Sequence, residues 1–192
     1  MITTAHILLG GAVLSRRGEH VVAYAAFAGG LVPDLSLFAM AGWNLLVLDV
    51  PPQTVFGVYY FTENWRNVFA IDNSIPLWSV LLGVALWRGN RWLTVFSGGA
   101  LLHVGADFLL HNTDARPNFW PISNWLFRSP VSYWDPAYYG AVFAPIETAI
   151  LLLAAVVLLR RFRQWDLRAF TILIAGVQLL PIVLTGGFHG LH

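Results

Sequence analysis

From Trp92 to His111 the chain is a continuous apolar run whose only ionisable side chains are His103, Asp107 and His111, spaced four residues apart. A run of this length matches the ~20 residues that a helix needs to cross the hydrocarbon core of a bilayer. In a helix, residues four apart lie one above another, so the three form a slowly drifting stripe on one face. Ionisable groups inside a bilayer are costly unless they line a cavity, pair with one another or hold an ion. The stripe therefore reads as a functional site, with a hydrogen-bonded cluster that fixes helix packing as the plainer alternative.

The rest of the chain fits a membrane setting. Hydrophobic residues make up 57% and charged residues only 11% of the 192 positions, well outside the range of an ordinary soluble domain. At ~20 residues per span, that length accommodates about six spans in a single integral membrane domain, residues 1–192. The apolar runs predict helices over 3–15, 20–42, 73–88, 91–111, 139–160 and 167–187, which makes the expected fold an all-α polytopic bundle. The first run is short, contains Gly10-Gly11, and leaves open whether it spans completely. Two long connections, 43–72 and 112–138, are rich in Trp, Tyr, Phe and Pro. Amphipathic aromatics favour the membrane interface, so these loops are expected along the outer surface as turns or short helices that can act as a lid.

Every basic residue is Arg. Arg16, Arg17, Arg88, Arg91, Arg160, Arg161, Arg163 and Arg168 lie in alternate short connections, which leaves Arg66, Arg116 and Arg128 for the other side. The positive-inside rule then places both termini outside the cytoplasm. Arg16 and Arg17 follow the first apolar run instead of preceding it, so that run does not read as a cleavable signal. Most carboxylates, including Asp34, Asp107, Asp114 and Glu147, fall in the outer half, opposite the arginines, and create a field suited to a cation. No cysteine is present, which removes disulfides, thiolate catalysis and Cys-ligated zinc. With the arginines at helix ends, no face suited to nucleic acid exists.

Any metal must then be held by imidazole and carboxylate. Helical rise places Asp34 and Glu147 at a depth comparable with the stripe, with His6 somewhat shallower. His6, Asp34, His103, Asp107 and His111 are the candidate ligands. This donor set suits a divalent ion, zinc first, with iron or manganese as alternatives. Asp114 and Glu147 are the candidate catalytic carboxylates. Each has a plainer reading: Asp34 and Glu147 can serve the helix distortions at Pro33 and Pro145, and His111 and Asp114 can simply meet water. Asp72 and Asn73 read as caps of the third helix. The glycine pairs at 10–11, 29–30 and 98–99 read as close helix contacts, and His189 and His192 as a solvated tail.

Thr4-Ala5-His6, Gly29-Gly30-Leu31-Val32-Pro33-Asp34, and His103 with Asp107 ahead of Trp120-Pro121-Ile122-Ser123 together resemble the bacterial inner-membrane metal-dependent hydrolases typified by YdjM, membrane relatives of zinc-dependent phospholipase C. The resemblance implies metal-site roles for His6, Asp34, His103 and Asp107. It departs at Asn73-Ser74, where many relatives carry His-Ser, so that His111 or Asp114 would have to supply a ligand. The function it implies is hydrolysis of a phosphoester or related bond in a membrane lipid or lipid-linked substrate near the outer leaflet of the bacterial cytoplasmic membrane. The alternatives are a non-catalytic membrane subunit organised by the polar cluster, and a small cation or proton transporter. The transporter is disfavoured because the inner half lacks polar residues, Gln178 excepted.

Overall fold

The computed structural model describes residues 1–185, and His189 and His192 lie outside them. The described residues are helical, without strands. In chain order the helices are α1 (Thr3–Leu14), α2 (His20–Leu31), α3 (Leu35–Gly42), α4 (Pro52–Gly57), α5 (Glu63–Asp72), α6 (Ile75–Trp87), α7 (Arg91–Leu110), α8 (Gly140–Arg161) and α9 (Trp165–Thr185). Five stretches are long and apolar enough to cross a membrane: His20–Val47, Glu63–Trp87, Arg91–Leu110, Gly140–Arg161 and Trp165–Leu184. Their outward faces are apolar, with Leu46 86%, Trp87 81% and Trp165 80% exposed. Hydrocarbon, not water, is the solvent such a surface requires. The chain is a multi-pass membrane protein.

The six expected helices are all present. The second expected helix, 20–42, is longer than expected: α2 passes through a 3-10 turn at Val32–Asp34 into α3, then a π turn at Trp43–Val47. Pro33 lacks the N–H that the α-ladder needs, and the backbone tightens there without breaking. The 43–72 connection contains α4, a 3-10 turn and α5, and α5 runs directly into α6. Capping at that junction falls to Ser74, whose Oγ accepts from the Leu77 amide at 3.1 Å. Asp72 and Asn73 do not cap α6: Asp72 ends α5, and Asn73 turns into the interior.

Helix α1 has 12 residues, about 18 Å of rise, and stops well short of a ~30 Å hydrocarbon core. It is nevertheless the hub of the bundle, packed against α2, α7, α8 and α9. At its C-terminal end, Arg161 donates to the Ala12 and Ser15 carbonyls at 2.7 and 2.5 Å, and Arg91 donates to the Leu14 carbonyl at 2.9 Å. These guanidinium groups satisfy carbonyls that the helix itself leaves open. With that end fixed at the arginine-rich side, the N-terminal end of α1 falls inside the bundle, beside the middle of α7.

Glycines set the distances. A Cβ on Gly30 would lie 2.6 Å from the His6 carbonyl oxygen, one on Gly99 2.9 Å from that of Ala26, and one on Gly29 would fall onto that of Phe96. Only glycine lets α1, α2 and α7 approach this closely. The same contacts bring His6 and His103 face to face.

Candidate metal centre

The His6 and His103 rings stack with centroids 3.7 Å apart and planes at 13°. His6 therefore sits level with His103, not shallower. Ligand atoms of His6, His103 and Asp107 all lie within 4.8 Å of one another, and all three residues are buried. This group can hold a metal ion.

The hydrogen bonds fix how each ring faces the centre. His103 Nδ1 is 2.7 Å from the Gly30 carbonyl, which can only accept, so Nδ1 carries the hydrogen. Its Nε2 is then a lone pair in the neutral ring, buried without a hydrogen-bond partner, 3.3 Å from Asp107 Oδ2 and 3.6 Å from Asp34 Oδ1. His111 repeats the pattern. Its Nδ1 donates to Asp114 Oδ2 at 2.7 Å, and its buried, unpartnered Nε2 lies 3.3 Å from the same Asp107 Oδ2. A ring whose far nitrogen donates to a carbonyl or carboxylate while its near nitrogen is free is the arrangement of metal-binding histidines.

Lone pairs turned on a carboxylate oxygen repel it unless a proton or a metal ion lies among them. Charge-assisted hydrogen bonds close to about 2.7–2.9 Å. Bonds of ~2.0–2.1 Å from a tetrahedral ion instead separate its ligands by about 3.3 Å. The two 3.3 Å separations at Asp107 Oδ2 are longer than such hydrogen bonds, and the residues whose ligand atoms all lie within 4.8 Å of one another are His6, His103 and Asp107.

Asp107 Oδ1 is differently placed. It accepts from the Met1 amino group at 2.7 Å and from His6 Nε2 at 2.8 Å. His6 Nε2 also faces the Met1 carbonyl, so it carries the hydrogen, and Nδ1 is the unpartnered nitrogen. Coordination through Nε2 would release that proton.

Asp34 and Arg116 complete the wall. Thr3 Oγ1 donates to Asp34 Oδ2 at 2.6 Å, and Arg116 Nη1 lies 3.4 Å from Asp34 Oδ1 and 2.8 Å from Asn73 Oδ1. The guanidinium also packs over the Phe69 ring at 5.3 Å. Burial pushes Arg116 down, but Tyr60, Asp34 and Asp107 outweigh it and hold the group well above its ordinary value. Burial likewise pushes the Asp114 carboxyl up, yet hydrogen bonds from His111 and the Trp134 indole keep it below the usual carboxylate range. Asp34, Asp107 and Asp114 outnumber their Arg116 and Met1 amino partners by one, so the group could hold a cation.

The sequence places His6, Asp34, His103, Asp107, His111 and Asp114 in this region, and the structure brings them together. Glu147 is at its edge: its carboxylate accepts from the Ile2 amide and makes no hydrogen bond to a cluster side chain among the described residues. Gln178, expected in the inner half, instead lies beside Thr4 at 2.5 Å, at the N-terminal end of α1. Arg116 and Thr3 were not anticipated, and Asn73, read from the sequence as a cap and as the departure from the family's His, instead accepts from Arg116. Arg116 carried one signal, as the only arginine in the polar segment between α7 and Pro117.

The loop after α7 also departs from expectation. His111, Asn112, Asp114, Arg116 and Asn118 are buried and roof the centre, while residues 121–125, ending in Trp125, are exposed. Asn118 holds this roof to the α5–α6 junction through the Asn73 carbonyl at 3.1 Å and the Ile75 amide at 2.8 Å. A narrow space of about 10 Å³ bordered by Asp107, His111 and Arg116 adjoins a second of similar size bordered by Arg116, Asp114 and Tyr60. Phe61, Arg66 and Pro117 are shared between that second space and an outer cavity of about 270 Å³.

Comparison with family models, with curated proteins and with solved structures finds no match to this chain.

Proposed function

We propose that this protein is a membrane-embedded, metal-dependent hydrolase of the bacterial cytoplasmic membrane. It acts near the outer leaflet on a phosphoester or related bond of a lipid-like substrate. The observation that carries this reading is the pair of buried, correctly oriented Nε2 atoms, on His103 and His111, that meet on Asp107 Oδ2. Asp34 and His6 complete the ligand set. Its imidazole and carboxylate donors favour zinc, with iron or manganese as alternatives. A divalent ion there would supply Lewis acidity and activate water near neutral pH.

The protein's own groups have separable tasks. Asp114 orients His111 through one oxygen, and its other oxygen, Oδ1, is buried and unpartnered, available to take a proton from attacking water. Arg116, fixed by Asp34 and Asn73, offers a positive charge for a phosphoryl oxygen. The shared borders of the three spaces trace a route from the outer cavity to Asp107. Its inner part holds no more than a water molecule, so a substrate reaches the centre only when the 111–118 roof moves.

The test is release of a phosphorylated headgroup from phosphatidylglycerol by the purified protein. Chelator-sensitive hydrolysis that falls at least about a hundredfold in Asp107→Asn is expected. A folded, metal-loaded protein that hydrolyses no lipid phosphoester would defeat the reading. It would favour the second one, in which the cluster organises helices: Arg116 and the Met1 amino group already compensate most of its charge. That reading predicts that Asp107→Asn reduces folding with no hydrolytic activity to lose.

Orientation is tested separately. Because the chain has no cysteine, Asn67→Cys should react with an impermeant thiol reagent added outside, and Gln164→Cys should not. The reverse pattern would invert the topology.

A further inference from the structure

At the end of the bundle opposite the His/Asp cluster, Arg17, Arg160, Arg161 and Arg163 line a cavity of about 320 Å³ between the α1–α2 and α8–α9 connections. Arg161 is held inward by the carbonyls at the end of α1. Arg17, Arg160 and Arg163 are exposed, and none forms an ion pair among the described residues. The acidic side chains of this end are engaged elsewhere: Glu19 pairs with Arg91 at 3.0 Å, and Asp166 accepts from the Tyr24 hydroxyl at 2.6 Å. The cavity therefore carries concentrated, uncompensated positive charge in a concave wall, which draws anions.

Depth selects the class of anion. Trp165, 80% exposed, follows the arginines directly, and Val13 and Val21, 59% and 58% exposed, flank the α1–α2 connection. Apolar surface meets water at this level, where an exposed Trp anchors and lipid headgroups lie. The volume corresponds to about ten water molecules, enough for a headgroup phosphate with part of its hydration.

We propose that this cavity binds the phosphate of an anionic phospholipid headgroup. Arg17, Arg160 and Arg163 make the contacts, and Arg161 is the fixed wall. The site is independent of the metal centre and of any catalysis there.

The test is native mass spectrometry of the full chain in uncharged detergent, titrated with phosphatidylglycerol or with phosphatidylcholine of the same acyl chains. Phosphatidylglycerol should bind about tenfold tighter or more. Arg17→Gln and Arg163→Gln should each weaken it about fivefold, with phosphatidylcholine unaffected. Arg128→Gln, exposed in the loop at the other end, should change neither lipid. Equal binding of the two lipids by the wild type overturns the proposal, whether or not a variant folds. So does undiminished phosphatidylglycerol binding in both arginine variants. Displacement of the lipid by an equal concentration of inorganic phosphate would assign the cavity to a free anion and also overturn it.

Discussion

Asp107 divides its two oxygens between two tasks. Oδ1 accepts from the Met1 amino group and His6, whereas Oδ2 faces His103 and His111 at 3.3 Å each. The four-residue spacing on a helix made the shared face of these side chains legible from the sequence. It could not reveal that His111 leaves the helix in extended geometry, φ −115° and ψ 126°, and is steered back by Asp114. Still less could spacing reveal Arg116, Asn73 and Thr3, whose places depend on how a loop folds across two other helices. A prediction follows from the His111–Asp114 bond. If Asp114 orients a ligand, Asp114→Asn should weaken metal affinity about 10- to 100-fold, measured by competition with a chromophoric chelator, while helical content is unchanged. Unaltered affinity would remove His111 from the ligand set.

At the level of elements, the short helix α1 decides where the site can form. Its arginine-bound end lies at one surface and its free end in the interior, so His6 reaches His103 without the helix spanning the membrane. Apolar run lengths revealed the helices to within a few residues and flagged α1 as short, because hydrophobic length is a property of sequence alone. The glycine pairs suggested close packing, but which helices approach is a tertiary fact. Gly30→Ala places a Cβ 2.6 Å from the His6 carbonyl oxygen and should cost about 1–3 kcal/mol. Gly105→Ala, on α7 with nothing within 4 Å, should instead stabilise by about 0.5–1 kcal/mol. Unfolding in detergent measures both. Equal stability of the two variants would contradict the tight α1–α2 contact.

Over the whole molecule, arginines gather at one end and the buried carboxylates near the other, with the 111–118 segment closing the acidic end as a roof. The sequence carried the charge separation plainly, since it follows from counting residues along the helices. The roof was hidden: the aromatic residues around it spoke for an interfacial loop, and the polar positions in 112–118 follow no helical or strand period. Closure excludes bulk water from a cluster in which carboxylates outnumber their cationic partners, a setting that could hold a cation. The direct test is the metal content of folded protein supplied with zinc, beside His103→Ala and Asp107→Ala. Stoichiometric divalent metal in the wild type, reduced to about a tenth or less in both variants with helicity retained, is the predicted result. Folded wild-type protein without stoichiometric metal would contradict it.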